Sequence, residues 1–264
     1  MTNVNEVYRA LCTSLLTQGK RVGNTLELNN VKFKIDDIKS NVVGIRNISK
    51  SYLFAELIWY FCGRNDVKFI SKFASLWSKI TDDGQTNNSA YGDIIFNRYG
   101  FDQVNTIIRL LQADPTSRRA VINFNVPNKN VITTKDEICT ICLQFLIRDN
   151  KLHCTAMMRS NDIWFGLPYD IVFFTELQKY IAHRVGVEYG TYTHFTSSLH
   201  VYDNFVEKIS DAACSECSND IRIDVEKLDY FKRIIEQKIE ESETPKDTVI
   251  ELFDFYEIYK EIKL

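Results

Sequence analysis

The stretch Arg159-Ser-Asn-Asp-Ile-Trp-Phe-Gly-Leu-Pro-Tyr-Asp170 places charged and polar side chains and a Gly-x-Pro bend just before a run of apolar residues. A polar segment that leads into a buried helix is typical of a binding loop, because the free N–H groups at a helix N-terminus attract anions. The alternative is an ordinary loop in which Asp170 caps the following helix. The stretch by itself leaves both interpretations open.

Two apolar segments before this stretch predict a β-hairpin. Residues 138–147 and 152–158 have the composition of strands, and a short polar turn separates them. With residues 149–150 as the loop, Arg148 faces Lys151 across the turn. The sequence therefore predicts two antiparallel strands that end next to the polar stretch.

The same register places a cysteine beside the polar stretch. Counting back from the turn, Cys139 falls opposite Ser160, and opposed residues have Cβ atoms about 5 Å apart. A thiol, a hydroxyl and the Arg159 guanidinium are then expected in one region, as a nucleophile beside an anion site. Cys142 lies an odd number of residues from Cys139, so it is expected on the other face of the sheet.

These residues resemble the central motif of the thymidylate synthase family. The resemblance rests on Cys139 with Gln144 five residues later, on Arg-Ser-x-Asp at residues 159–162, and on Gly-Leu-Pro at residues 166–168 followed by Asp170. It implies that Cys139 is the nucleophile and that Gln144 binds the nucleotide substrate.

The resemblance also implies the fold, which is α/β of the α+β type. One catalytic domain over residues 1–264 is expected, with a large mixed sheet flanked by helices and packed in a homodimer. The composition is that of a globular domain, with 45% hydrophobic and 25% charged residues. The net charge of −3 gives no sign of a nucleic-acid or membrane surface, and no apolar run approaches the roughly 20 residues of a membrane helix.

The cysteine content indicates a reducing compartment. Seven cysteines without a secretory signal are expected to be reduced, which favours a cytoplasmic protein. Cys214 and Cys217 have zinc-like spacing but no second pair, so no metal site is predicted.

The family resemblance implies a phosphate-binding set of arginines. A cation in a loop such as Arg21 is usually solvated, and adjacent arginines such as Arg118 and Arg119 are commonly a surface pair. In the family, the corresponding residues bind the 5′-phosphate of the substrate together with Arg159 and Ser160. Arg118 and Arg119 reach it from the other subunit, so a homodimer is implied.

Further residues that match the family lie before the hairpin. Glu56 stands in the apolar helix predicted for residues 52–61, and a buried carboxylate there requires partners or a task. The resemblance implies that Glu56 orients water and protons at the pyrimidine, that Trp77 lies on the folate side, and that Tyr91 is an active-site residue. The family's second tryptophan is replaced here by Ile80.

Residues after the hairpin complete the implied site. His200 and Tyr202 have the period-2 spacing that puts both on one face of a strand. A lone histidine there is more often structural, but the family uses its His-x-Tyr to hold the 3′-hydroxyl. By the same resemblance, Asp162 binds the pterin ring of methylenetetrahydrofolate and Gly166 belongs to the folate-binding segment.

The residue type at Asp170 indicates which base the substrate carries. Thymidylate synthases carry Asn here, and its amide matches the O4 acceptor and N3–H donor of uracil. Cytosine presents an amino donor and an N3 acceptor, which a carboxyl group can pair with. The cytidylate hydroxymethylase branch is similar in having Asp here, in Cys-Thr at residues 139–140, in Arg-Ser-Asn-Asp at residues 159–162 and in Ser-Leu-His-Val-Tyr at residues 198–202.

The leading hypothesis is a 5-hydroxymethylase that acts on dCMP or CMP. Addition of the Cys139 thiolate at C6 would turn C5 into a nucleophile for the one-carbon unit of methylenetetrahydrofolate, and water held by Glu56 would complete the product. One alternative is reductive methylation of dCMP or dUMP. Another is an inactive homologue that binds a nucleotide or RNA.

The remaining pattern predicts the other elements of the chain. We expect a break at residues 19–24 and an early end to the resemblance after residue 204. Helices are predicted over residues 3–18, from Asp170 to about residue 185, and over 223–242; strands are predicted over residues 25–35, 120–126, 192–202 and 248–259.

Overall fold

The computed structural model describes residues 2–125, 127–215, 236–246 and 248. The chain forms two compact units. The first lies within Met1–Ile48, Thr106–Asn125 and Cys139–Ile223, and the second within Ser49–Asn105, Val126–Ile138 and Asp224–Leu264. The expectation of one catalytic domain over residues 1–264 stays a prediction.

Helices and strands follow one another along the part of the chain that the structure describes. The helices are α1 Val4–Gln18, α2 Lys50–Phe61, α3 Val67–Ile70, α4 Leu76–Ile80, α5 Tyr91–Phe96, α6 Gln103–Ala113, α7 Leu167–Val185 and α8 Val206–Cys214. The strands are β1 Lys20–Val22, β2 Thr25–Ile35, β3 Val121–Asn123, β4 Thr140–Arg148, β5 Lys151–Met158, β6 Asn161–Asp162 and β7 Glu188–Tyr202.

All seven strands form one mixed sheet in the first unit. The order is β1-β2-β7-β5-β4-β3, and β6 pairs with β7 beyond the end of β5. β7 is parallel to β5 and β6, whereas the other neighbouring strands are antiparallel. The predicted mixed sheet is therefore confirmed.

The predicted hairpin forms with the expected turn. Arg148 pairs with Lys151, and Asp149 and Asn150 have φ angles of 52° and 57°. Positive φ at both loop positions matches the twist of the flanking strands, and Asp and Asn tolerate it better than most residues. The turn thus fixes the register of β4 and β5 at this end.

A bulge near the other end of the hairpin contradicts the predicted register of Cys139. Thr140 pairs with Met158 but Cys142 pairs with Met157, so Ile141 is an extra residue in β4. Its carbonyl accepts the backbone N–H groups of two residues that follow β3, Phe124 and Asn125. An extra residue shifts everything beyond it by one position.

As a result, Cys139 lies opposite Arg159 and not opposite Ser160. The Cys139 carbonyl accepts the Arg159 N–H at 2.9 Å. The expectation that Cys142 points to the other face was also wrong, because the bulge restores Cys139 to the face that carries Cys142. The burial of Thr140 and Leu143, three positions apart on the covered face, shows the same offset.

Helix α7 begins before Asp170, so the alternative in which Asp170 caps this helix does not hold. Gly166 is its N-cap residue, and Asp170 lies within the first turn, where its N–H donates to the Gly166 carbonyl at 3.0 Å. Asp170 therefore does not cap the helix. The helix ends at Gly186, whose φ of 84° is the left-handed conformation that a terminating glycine adopts at low cost.

The other predicted elements are largely confirmed. α1 matches the predicted first helix and begins at an Asn3–Glu6 capping box, and β2 has the predicted bounds. The break after α1 contains the short strand β1, so Arg21 lies in a strand rather than a loop. The strand predicted over residues 120–126 is shorter than expected and spans Val121–Asn123, and most of the predicted elements after residue 215 lie outside the described residues.

None of the helices in the described ranges is long and apolar enough to cross a membrane.

Candidate active site

A cluster of polar side chains forms in the first unit where β6 runs beside β7. Asp162 pairs with His200 in the parallel register of these strands. The Ser160 hydroxyl lies 3.4 Å from His200 Nδ1, and His200 Nε2 lies 3.9 Å from Asp162 Oδ2. The rings of His200 and Tyr202 meet edge to face with centroids 5.5 Å apart, so both residues share one face of β7.

Asp162 is a buried carboxylate with one oxygen engaged by the backbone. Its Oδ1 accepts the N–H groups of Trp164 and Phe165 at 2.6 and 2.7 Å. Its Oδ2 is buried and has no hydrogen-bond partner among the described residues. Burial raises the pKa of Asp162, while the two N–H groups and His200 act in the opposite direction. An engaged and an open oxygen on one carboxyl suit a ligand that brings its own N–H donors.

Asp170 is held by a neighbour to which the sequence assigned no role of its own. Asn161 Nδ2 donates to Asp170 Oδ2 at 2.6 Å, and both residues are almost completely buried. Gly166 lies against the pair: a Cβ at this position would be 3.2 Å from Asp170 Oδ2 and 3.3 Å from Asn161 Nδ2. Because Gly166 has no side chain, Asn161 and Asp170 can pack against its backbone without a close contact.

The cysteines near the hairpin differ in their surroundings. Cys139 is half-buried, and its opposed residue Arg159 is exposed. Burial raises the pKa of the Cys142 thiol and of the Cys154 thiol. A raised pKa reduces the thiolate fraction at neutral pH, which disfavours Cys142 and Cys154 as nucleophiles.

The predicted phosphate ligands outside the cluster are exposed. One nitrogen of the Arg21 guanidinium, Nη1, donates to both carboxylate oxygens of Asp203 at 2.7 and 2.8 Å, and 61% of the Arg21 side chain is accessible. Such an exposed pair contributes little stability, so an anion could displace it at small cost. Arg118 and Arg119 are exposed before β3, and Gln144 Nε2 donates to the Arg118 carbonyl at 3.2 Å.

In the second unit, Glu56 is buried with phenol partners from its own helix. Its Oε1 accepts the Tyr52 hydroxyl at 2.5 Å and the Tyr60 hydroxyl at 3.3 Å. The Tyr52 oxygen in turn accepts Trp77 Nε1 at 2.9 Å, and Tyr91 stacks on Tyr60 with centroids 5.2 Å apart. Three predicted residues, Glu56, Trp77 and Tyr91, therefore lie in one cluster.

Tyr52 and Tyr60 were missed from the sequence although a signal was present. Both lie four positions from Glu56, the spacing that puts helix residues on one face. Gly92 explains how Tyr91 approaches so closely, because a Cβ at Gly92 would collide with the backbone of Tyr60.

Arg46 is a further residue that the sequence did not indicate. Only 7% of it is exposed, and its guanidinium lies 4.4 Å from the ring of Trp164 and 5.4 Å from that of Tyr169. These contacts fix the segment between Asp162 and α7. No short-range spacing connects Arg46 to that segment, so only the tertiary structure could show the contact.

The described residues contain no cluster of three side chains able to hold a metal ion, and Cys217 of the zinc-like pair lies outside them.

The thymidylate synthase family model matches residues 6–253 of this sequence. The chain belongs to the thymidylate synthase family. Members of this family are folate-dependent one-carbon transferases that bind nucleotide monophosphates and use methylenetetrahydrofolate as co-substrate, and they are typically homodimers. The family resemblance read from the hairpin and the polar stretch is confirmed, but the expected end after residue 204 was wrong, because the match continues to residue 253.

This member of the thymidylate synthase family is similar both to deoxyuridylate hydroxymethyltransferases and to thymidylate synthases. The deoxyuridylate hydroxymethyltransferase of Bacillus phage SP01 is 31% identical over 211 residues, which cover 75% of this chain and 55% of the relative. The deoxyuridylate hydroxymethyltransferase of Pseudomonas phage M6 is 31% identical over 171 residues, which cover 64% of this chain and 49% of the relative. The thymidylate synthase of Francisella philomiragia is 28% identical over 177 residues, which cover 61% of this chain and 64% of the relative.

The chain spans about half the length of the two phage relatives. Among solved structures, thermostable thymidylate synthase A from Bacillus subtilis matches with a TM-score of 0.70 and 21% identity, over 83% of this chain and 87% of that one. The predicted α/β fold with a large mixed sheet is thereby confirmed, and the packing of the sheet in a homodimer stays a prediction.

Proposed function

We propose that this family member is a 5-hydroxymethyltransferase that converts dCMP or CMP, methylenetetrahydrofolate and water to the 5-hydroxymethyl nucleotide and tetrahydrofolate. The observation that carries the proposal is the buried carboxyl group of Asp170, held by Asn161 in the first turn of α7. The family's synthases carry an amide at this position.

The base specificity follows from the hydrogen-bonding pattern of a carboxyl group. As an acceptor, Asp170 takes a hydrogen from the C4 amino group of cytosine; when protonated, it also supplies one to N3. Uracil presents O4 to the same group, and two acceptors without a hydrogen between them repel each other. A hydrogen-bonding site can reject such an analogue by about 10⁴-fold.

Cys139 is proposed as the nucleophile. Its thiolate adds to C6 of the pyrimidine, and the electron pair of the C5–C6 double bond becomes available at C5. After C5 has gained the one-carbon unit, loss of the C5 proton would break the carbon–nitrogen bond to tetrahydrofolate and leave an exocyclic methylene group. Water would add to that methylene carbon, and elimination of Cys139 from C6 would then restore the C5–C6 double bond. Cys139 is thus regenerated at the end of each turnover.

The arginines are proposed to bind the 5′-phosphate. Arg159 lies directly opposite Cys139, so a phosphate held there would anchor the nucleotide beside the thiol. Arg21 and Ser160 would add contacts from the same chain, and Arg118 and Arg119 would come from the partner subunit of a homodimer. His200 and Tyr202 would hold the 3′-hydroxyl of the sugar.

Methylenetetrahydrofolate supplies a carbon at the oxidation level of formaldehyde. The buried Oδ2 of Asp162 lacks a hydrogen-bond donor among the described residues, and a pterin ring carries N–H and amino donors, so the two groups fit. Gly166 and Trp77 are proposed as further folate-side residues.

Glu56 is proposed to orient the water that adds to the one-carbon unit. The phenols of Tyr52 and Tyr60 hold its Oε1, which fixes the carboxylate for that task. With water as the final nucleophile, no electrons are transferred and tetrahydrofolate is released. Reductive methylation would instead take two electrons from the folate.

The names of the phage relatives favour a second candidate, hydroxymethyl transfer to dUMP. One assay separates the candidates: the protein is incubated with methylenetetrahydrofolate and, separately, dCMP, CMP, dUMP and UMP, and each product is weighed by mass spectrometry. A hydroxymethyl product from cytidylate alone is expected. A product from uridylate alone would contradict the cytosine assignment, and a methyl product would contradict the role of water.

A matched control separates catalysis from contamination. Cys139→Ser should give no product with any of the four nucleotides while it still binds one of them. If neither protein turns over or releases tritium from C5 of any nucleotide, the chain is an inactive binding homologue.

A further inference from the structure

Asn161 and Asp170 form a contact between the sheet and a helix. Asn161 lies in β6 and pairs with Leu199 of β7, whereas Asp170 lies in the first turn of α7. Their side chains meet at 2.6 Å, from Asn161 Nδ2 to Asp170 Oδ2. Only 3% of Asn161 and 8% of Asp170 is exposed, so water competes little for this hydrogen bond.

The contact makes the two oxygens of Asp170 unequal. An oxygen that accepts an amide N–H at this distance has little room for a proton of its own, because two hydrogens would face each other. A proton on the carboxyl group is therefore favoured on Oδ1, while Oδ2 remains an acceptor.

The amide of Asn161 contacts Asp170 through its nitrogen, which can only donate. Asn161 Oδ1 is buried and has no hydrogen-bond partner among the described residues. Leaving a buried carbonyl oxygen unsatisfied is costly, and the hydrogen bond from Nδ2 to Asp170 offsets part of that cost. Because Nδ2 is a donor, it holds Asp170 Oδ2 as an acceptor.

We infer that Asn161 is a positioning residue that sets the base specificity by keeping Asp170 Oδ2 as an acceptor and Oδ1 as the oxygen that donates a hydrogen to N3 of cytosine. The inference rests on the proposed function, in which Asp170 pairs with the pyrimidine. Asn161 itself does not touch the base; it acts through the orientation of donor and acceptor on Asp170.

An isosteric exchange of the two residues tests this inference. In Asp170→Asn alone, the amide of Asn161 can rotate, so the new amide has two orientations and the shift toward uridylate should be partial. In the double variant N161D/D170N, a carboxylate at position 161 accepts the new amide N–H and fixes the remaining amide oxygen toward N3–H of uracil. The double variant should favour uridylate at least tenfold more than D170N alone.

The measured quantity is the ratio of Kd values for dCMP and dUMP, determined by titration calorimetry on the full chain. Asn161→Ala provides a second variant, in which loss of the donor should reduce the cytidylate preference by at least tenfold. Thermal melting of each protein establishes that it is folded at the temperature of the titration.

A buried pair elsewhere in the first unit provides the matched control. Asn41 Nδ2 donates to Glu176 Oε1 at 2.5 Å, and both residues are fully buried. Asn41→Ala removes the same kind of amide–carboxylate contact, so it should lower the melting temperature and leave the dCMP-to-dUMP ratio unchanged.

The outcomes separate this inference from the proposed function. If the wild-type protein prefers cytidylate but N161D/D170N and D170N have the same ratio, and Asn161→Ala retains the preference, Asn161 is only structural and the inference is wrong. If the wild-type protein prefers uridylate, the cytosine assignment fails and the inference fails with it.

Discussion

The backbone N–H of Arg159 donates to the carbonyl of Cys139 at 2.9 Å, so the two residues are direct partners across the hairpin. Directly opposed residues project from the same face of a sheet, with Cβ atoms about 5 Å apart. The proposed nucleophile and the proposed phosphate ligand are therefore placed by the same backbone hydrogen bond. The bulge at Ile141 is what brings them into this register.

Cys139→Ser should abolish turnover and leave nucleotide binding largely intact, because a hydroxyl is a far weaker nucleophile than a thiolate at neutral pH. Cys142→Ser is the control on the same face, where burial already disfavours the thiolate. It should retain activity and lose only packing. Product formation and nucleotide Kd measured for both proteins check this, and an active Cys139→Ser protein would exclude Cys139 as the nucleophile.

Arg159→Ala should raise the KM for the nucleotide by about 10- to 100-fold, since a charge-assisted contact contributes roughly 1.5–3 kcal/mol. Binding that remains should depend less on salt. The comparison is with the corresponding nucleoside, whose binding should hardly change. Arg148→Ala, an exposed arginine at the turn of the same hairpin, is the control variant. Equal effects on nucleotide and nucleoside would argue against a phosphate role.

Asp170→Asn should lower kcat/KM for cytidylate and raise it for uridylate. The substitution changes the donor–acceptor pattern with little change in shape. Part of the loss on cytidylate should fall in kcat, because the contact at N3 strengthens as charge develops there. Steady-state kinetics with dCMP and dUMP measure the effect. An unchanged ratio of the two kcat/KM values would remove Asp170 from base recognition.

Tyr52→Phe should reduce kcat while the nucleotide KM changes little. The hydroxyl that holds Glu56 at 2.5 Å and accepts from Trp77 is lost, so the carboxylate is less well fixed. Unfolding free energy should fall by about 1 kcal/mol. Tyr60→Phe removes the longer bond of 3.3 Å and should have the smaller effect on kcat. A larger loss of kcat in Tyr60→Phe than in Tyr52→Phe would count against this role of Tyr52.

His194 should make the protein sensitive to acid. It is fully buried, with Nδ1 2.7 Å from the Tyr192 hydroxyl and its ring stacked on Phe33, and burial lowers its pKa from 6.5 to about 3. Below pH 6.5, His194 binds a proton in the unfolded chain but stays neutral in the native state. Stability is therefore fully present above pH 6.5 and is lost as the pH falls toward 3, by about 1.4 kcal/mol per pH unit.

Urea denaturation of the wild-type protein and of His194→Phe between pH 7 and 4 measures this dependence. The variant should lose less stability per pH unit on acidification, whatever its stability at pH 7. His183→Gln, at an exposed position late in α7, is the control and should follow the wild-type slope. Parallel slopes for the wild-type protein and His194→Phe would show that another group causes the acid sensitivity.

The sequence was informative wherever the contacts are local or the motif is specific. The turn at Asp149 and Asn150, the helix α1 and the bounds of β2 follow from residues close together in the chain. The hairpin and the polar stretch also identified the family, because so specific a set of residues at fixed spacing rarely occurs by chance.

The sequence by itself thus determined the family and the candidate residues, since both depend on residue type and spacing, and the family resemblance implied the mixed sheet. Only the tertiary structure decided the register of Cys139, because the bulge at Ile141 depends on hydrogen bonds from residues after β3. It likewise decided the partner of Asp170, since Asn161 reaches it only after β6 pairs with β7 and α7 packs beside the sheet. Spacing along the chain determines which face a residue occupies, but packing between elements determines what it meets there.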